Sequence, residues 1–131
     1  MRRLAWYWLP PLAWAALIFS LSAMSRPPVP QVDLPQFDKL LHACEYGCFG
    51  ALLCRAMAMG GRWLSPNAAF LLALVVGGLY GVTDEFHQSF VPERCADVWD
   101  VVADCVGSAI GAGAFRLLFL RRHRELPARP R

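Results

Sequence analysis

Residues 66–86 read PNAAFLLALVVGGLYGVTDEF, and this stretch decides the fold. From Ala68 to Val82 there is no charged side chain, and then Thr83-Asp84-Glu85 follows abruptly. A buried strand uses about 4–8 apolar residues, whereas a helix crossing about 30 Å of hydrocarbon needs roughly 20. The stretch therefore reads as a membrane-spanning helix. Working outward, three more runs of similar length appear at about 4–23, 37–59 and 97–120. They are separated by the proline-rich segment 26–36, by Gly60-Gly61-Arg62-Trp63, and by 87–96. The expected fold is all-α: one domain over 1–120, a bundle of four transmembrane helices, with a basic, mobile tail at 121–131. Trp6, Tyr7, Trp8 and Trp14 suit a membrane interface. Pro10-Pro11 predicts a kink in the first helix, because proline removes a backbone donor.

Composition agrees. The chain has 131 residues, room for a single domain; 56% are hydrophobic and only 18% charged, and mean hydropathy is +0.36. Soluble domains carry about 25% charged residues. These values exclude disorder. Five cysteines cannot all pair, which argues against a disulfide-stapled secreted domain. A net charge of +3, with most of the excess arginine at the two termini, argues against nucleic acid. A cleavable signal peptide is the rival reading of the first run. That run is longer than the usual 7–15 residues or so of a signal's apolar core, and Leu21 is a poor residue near a cut site.

Charge sets the expected orientation. With both termini cytoplasmic, ten of the thirteen basic residues lie inside, leaving only Arg26, Lys39 and Arg94 outside. That matches the positive-inside bias. Nine of the ten acids fall on the outer half, Glu125 being the exception. The chain is thus expected with its polar face on the outer side of the membrane.

Ionisable residues within spans usually face a bundle interior or a wet cavity. At about 100° per residue, Asp38, His42, Glu45 and Phe49 share one face of the second helix. Gly77, Gly81, Asp84 and Gln88 share a face of the third, with Glu85 a quarter-turn away. On the fourth, Asp97, Asp100, Asp104, Ser108 and Gly111 align. Three helices bring polar stripes to one depth, which points to a common pocket with Arg94 reaching in from the loop. The candidate catalytic groups are His42, Asp84, Glu85 and Asp100; the candidate binding groups are Asp38, Lys39, Glu45, Gln88, Arg94 and Asp104.

Simpler roles stand beside these. Asp38 could be a helix N-cap. Glu93 and Asp97 suit solvation or pairing with Arg94. His42-x-x-Glu45 has the spacing to share a divalent ion with Asp84 or Asp100, yet the donors are sparse for a metal centre, and no metal or cofactor is assigned. Small residues at Ala103, Gly107 and Gly111, and at Gly77 and Gly81, predict close packing of the third helix on the fourth. Cys44, Cys48, Cys54 and Cys105 read as packing thiols, while an oxidising compartment would permit a Cys44–Cys95 bridge. No nucleophile elbow, phosphate-binding loop, dinucleotide motif or Cys-x-x-Cys pair occurs.

Three blocks carry a resemblance: Asp38-Lys39-x-x-His42, then Asp84-Glu85-x-His87-Gln88-x-Phe90-x-Pro92-x-Arg94, then Asp100-x-x-x-Asp104-x-x-Gly107. In this order and spacing over 38–111 the chain resembles the VanZ-like family. The resemblance implies a small bacterial integral membrane protein of four or five spans. It also brings an antibiotic-resistance association, since the founding member is linked to resistance to the glycopeptide teicoplanin. The matching positions are Asp38, Lys39, His42, Asp84, Glu85, Gln88, Arg94 and Asp100. Two departures add charge: Asp104 stands where many relatives have Asn, and Glu45 where the family more often has an uncharged residue.

The functional expectation is a pocket that binds or processes an envelope lipid or a lipid-linked cell-wall precursor. Arg94 and Lys39 would hold a phosphate or carboxylate. Any turnover would be acid–base chemistry by His42 and a carboxylate; the sequence does not decide whether the chain is an enzyme. Two alternatives are a structural or partner protein whose ion network only holds the bundle, and a proton- or cation-coupled transporter, which would need a homo-oligomer and polar residues across the full depth.

Overall fold

The computed structural model describes residues 2–28, 35–60 and 64–125, with the side chains of residues 2, 3 and 123–125 left undescribed. Four helices make up the described residues, and no strand occurs among them: α1 (Arg2–Ser22), α2 (Phe37–Gly60), α3 (Pro66–Gln88) and α4 (Val98–Glu125). The turn Gly61-Arg62-Trp63 and the tail from 126 onward lie outside the described residues.

Local sequence explains the boundaries. Pro66 occupies the first turn of α3, where its missing N–H costs nothing, and the Ser65 hydroxyl accepts from the Ala68 N–H. At the start of α4, Asp97 accepts from the Trp99 N–H at 2.9 Å. Asp38, by contrast, lies inside the first turn of α2 and bonds Lys39, so the expected N-cap role does not hold. Pro10 and Pro11 leave the Trp6 and Tyr7 carbonyls without their helical donors, yet α1 continues through them to Ser22. The expected break at Leu120 is also displaced: α4 carries Arg121 and Arg122 on its last turns and ends at Glu125.

The burial pattern is inverted relative to a water-soluble domain. Leu79 is 62% exposed and Ile110 66%, whereas Asp84 is 6% and Asp104 0% exposed. Outward-facing apolar side chains run along α1, α3 and α4, which each have the length and hydropathy to cross a membrane. Helix α2 falls short of that hydropathy because it carries Asp38, Lys39, His42, Glu45 and Arg55. It is 24 residues long and packs against all three, so His42 and Glu45 face the bundle while Asp38, in its first turn, stays exposed. In lipid, a helix of this kind is the one expected at the centre.

Close approach is built from small residues. A methyl group on Gly107 or Gly111 would collide with the backbone of Ala43 or Gly47, and one on Gly50 with the backbone of Ser108. The glycine face of α4 therefore lies on α2. Helix α3 reaches α4 through Gly77 and Gly81, which face Ser108 and Asp104. The third and fourth helices touch as expected, but the tightest seam joins the second and fourth. Mid-bundle, Ile18, Tyr46, Phe49, Leu53, Met57, Ala69, Ala73 and Ala112 form the apolar core. At the end where α3 starts, Arg116 donates twice to Asn67 and Arg55 lies over the Tyr7 ring. Cys54 is buried, while Cys44, Cys48, Cys95 and Cys105 are exposed free thiols; Cys44 and Cys95 are not bridged.

Candidate functional site

The opposite end of the bundle, where α1 and α3 finish and α2 and α4 begin, collects the ionisable residues. Its centre is the pair His42–Asp104. The His42 Nδ1 stands 3.0 Å from Asp104 Oδ1, and Asp104 is fully enclosed between α2, α3 and α4. One turn nearer the end, the Lys39 ammonium lies 2.8 Å from Asp38, 2.6 Å from Asp97 and 2.8 Å from Asp100. It ties the first turn of α2 to the first turn of α4. Lys39 also donates the hydrogen bond that holds the Asp97 carboxyl below the usual carboxylate range.

Helix α3 adds two buried carboxylates. Glu85 Oε2 accepts from the Asp97 backbone N–H at 2.8 Å, and Asp84 Oδ2 accepts from Gln88 Nε2 at 3.1 Å, one turn along the same face. Arg94 folds over the end of α1, donating from Nε to the Met24 carbonyl and from Nη2 to the Leu21 carbonyl. The Leu21 carbonyl also accepts from the Met24 N–H, and a cation beside this helix end complements its negative dipole.

A cavity of about 120 Å³ opens between α1, α2 and α3. Helix α1 gives it an apolar wall with Ile18 and Leu21; α2 adds Leu41 beside the polar lining of Asp38, His42, Glu45, Asp84, Gln88 and Arg94. Six of the ten sequence-derived site residues thus share this cavity. Lys39, Glu85, Asp100 and Asp104 stand apart from its lining, in the ionic layer between α2, α3 and α4.

Of the two roles expected for Glu93 and Asp97, solvation agrees with their exposed side chains and pairing with Arg94 does not occur: Glu93 lies 2.9 Å from Arg26, and Asp97 is engaged by Lys39 and the start of α4. The ion-ligand grouping differs from the His42-x-x-Glu45 spacing, for which no metal is assigned. Among the described residues, His42, Glu85 and Asp100 bring candidate ligand atoms within 4.8 Å of one another, and Glu45 is not in that group. The part played by α1 had no signal in the sequence. Its contribution is the apolar wall, together with two main-chain carbonyls and buried Ser22.

Comparison with known proteins yields one finding. A family model described as VanZ/LLP1 matches residues 4–120. No curated protein and no solved structure gives a match. The match runs through all four helices and includes every residue of the ionic layer and the cavity. The chain belongs to the VanZ/LLP1 family of membrane proteins.

Proposed function

We propose that this protein lies in the bacterial inner membrane with both termini cytoplasmic, and that its polar end faces the periplasm. There it binds or processes an envelope lipid or a lipid-linked cell-wall component. The observation that carries this reading is the two-faced cavity: an apolar wall beside a charged one suits an amphiphile entering from the membrane. Arg94 uses two of its guanidinium N–H groups at and just past the end of α1, and the rest are available to a phosphate or carboxylate. Lys39 was the other candidate for that contact, but three carboxylates surround it, so the anionic part of the ligand falls to Arg94 alone. Asp38, Glu45 and Asp84 suit hydroxyl or ammonium groups of the same head. Any turnover would pass through His42, oriented by Asp104, as the proton carrier.

The apolar core between the two polar ends supports binding over transport, since a coupled ion path would need polar groups through that layer. Protection against teicoplanin-type glycopeptides is the phenotype such binding would produce. Its measure is the inhibitory concentration with and without the protein.

Purified protein in detergent is expected to gain thermal stability with polyprenyl phosphates or lipid-linked cell-wall precursors. Arg94→Ala and Asp84→Asn should lose at least about 1.4 kcal/mol of that binding, a tenfold weaker affinity, while keeping most of their ligand-free stability. If the wild type responds to no lipid and both variants unfold earlier, the ion network is structural and the binding reading fails.

Orientation has its own test. Cys95 is exposed on the loop between α3 and α4. With the other four cysteines replaced by Ser or Ala, a membrane-impermeant maleimide should label Cys95 in intact spheroplasts. Labelling only after lysis would place that loop in the cytoplasm and reverse the proposed topology.

A further inference from the structure

His42, Glu85 and Asp100 come from three different helices, and each has one donor atom held by a neighbour and another left over. Asp104 takes His42 Nδ1, which leaves Nε2. The Asp97 N–H takes Glu85 Oε2, and Oε1 has no hydrogen-bond partner although Glu85 is only 5% exposed. Lys39 stands 2.8 Å from Asp100 Oδ1, which is buried with no hydrogen-bond partner, and Oδ2 is left over. One ligand atom from each of the three side chains falls within 4.8 Å of the others.

An unpartnered carboxylate oxygen in a buried position is costly. Lys39 cannot relieve it, because its ammonium is already shared among Asp38, Asp97 and Asp100. We propose that His42, Glu85 and Asp100 form a binding site for a divalent first-row transition ion, completed by water. One imidazole nitrogen and two carboxylates suit Mn²⁺, Fe²⁺ or Zn²⁺ better than an all-oxygen ion such as Mg²⁺. Metal–ligand bonds of about 2.0–2.2 Å ask the three atoms to close by roughly an ångström, within reach of side-chain adjustment. The outer contacts already have the form that orients metal ligands: a carboxylate on the second histidine nitrogen and a backbone N–H on the second carboxylate oxygen. The ion would neutralise the surplus of negative charge at this end of the bundle. This site shares His42 with the lining of the cavity, but the observations behind it and its test do not depend on the lipid reading.

Mn²⁺ alone is the probe, since it takes nitrogen and oxygen donors and matches the free thiols poorly. Chelator-treated, full-length protein in detergent is titrated with Mn²⁺ and followed by electron paramagnetic resonance. The expected result is one saturable ion per chain with a directly coordinated imidazole nitrogen. Glu85→Gln and Asp100→Asn should each weaken it at least tenfold. A His87→Gln/His123→Gln variant, which leaves His42 as the remaining histidine of the three, should keep both the ion and the nitrogen coupling. Where a carboxamide variant fails to fold, the nitrogen coupling in the His42-only chain decides. Absence of saturable binding by the folded wild type, absence of nitrogen coupling, or full affinity in both folded carboxamide variants overturns the site.

Discussion

Gly111→Ala is expected to destabilise the bundle by about 3 kcal/mol, the upper end of the usual cost of overpacking. The added methyl would meet the carbonyl group of Gly47 on α2, a backbone atom that no rotamer change can move. The two helices would have to separate, and the neighbouring contact of Gly107 with Ala43 lies on the same seam. Gly113→Ala is the matched control. Its methyl would meet only the Phe70 ring at 3.7 Å, an ordinary contact. Alanine's helix propensity then makes that change neutral or stabilising by up to about 1 kcal/mol. Unfolding of both variants in mixed micelles, followed by helical circular dichroism, measures the contrast. Equal stabilities would mean that α2 and α4 do not meet along the Gly107–Gly111 face.

The second large effect belongs to the buried ionic pair. His42→Ala should cost about 3–5 kcal/mol, because it leaves Asp104 enclosed with no partner for its charge. Adding Asp104→Asn to His42→Ala should restore part of the loss, since an amide buried without its partner costs less than a carboxylate in the same place. The two changes are therefore expected to be strongly non-additive in a double-mutant cycle. Additive losses, or a His42→Ala variant as stable as the wild type, would show that the pair does not hold the three helices together. Run on chelator-treated protein, the cycle reads the pair without the ion that His42 is proposed to hold.

These two expectations also mark where sequence reading succeeds and where it stops. The four helices were legible because each is a run of membrane-spanning length ended by a strong local signal. Ser65-Pro66 opens α3, and Asp97 opens α4. The polar stripes were legible too, since an acid inside an apolar helix has few tolerable positions, and Asp84, Asp100 and Asp104 did turn inward. What spacing gives is the face of a helix, not its neighbour. Gly107 and Gly111 read as a seam with α3, yet α2 takes them, because its own small residues Ala43 and Gly47 allow the closer approach. The same gap explains Lys39. Its depth was clear, but only the three-dimensional arrangement sets the first turn of α4 over the first turn of α2, where Asp97 and Asp100 claim the ammonium. Arg94 likewise reached the cavity while gaining two main-chain partners, Leu21 in α1 and Met24 just past it, that its sequence surroundings do not announce.

The most direct test of the proposed function is where a lipid sits. A photoreactive polyprenyl phosphate, cross-linked to the protein in membranes and mapped by mass spectrometry, should mark Ile18, Leu21 and Leu41 in the apolar part of the cavity lining. Unlabelled ligand should compete the adducts away, and Arg94→Ala should lose them. Adducts spread along the outward faces of α3 and α4, at Leu71, Val75, Leu79 or Ile110, and indifferent to both competitor and substitution, would contradict a specific lipid site.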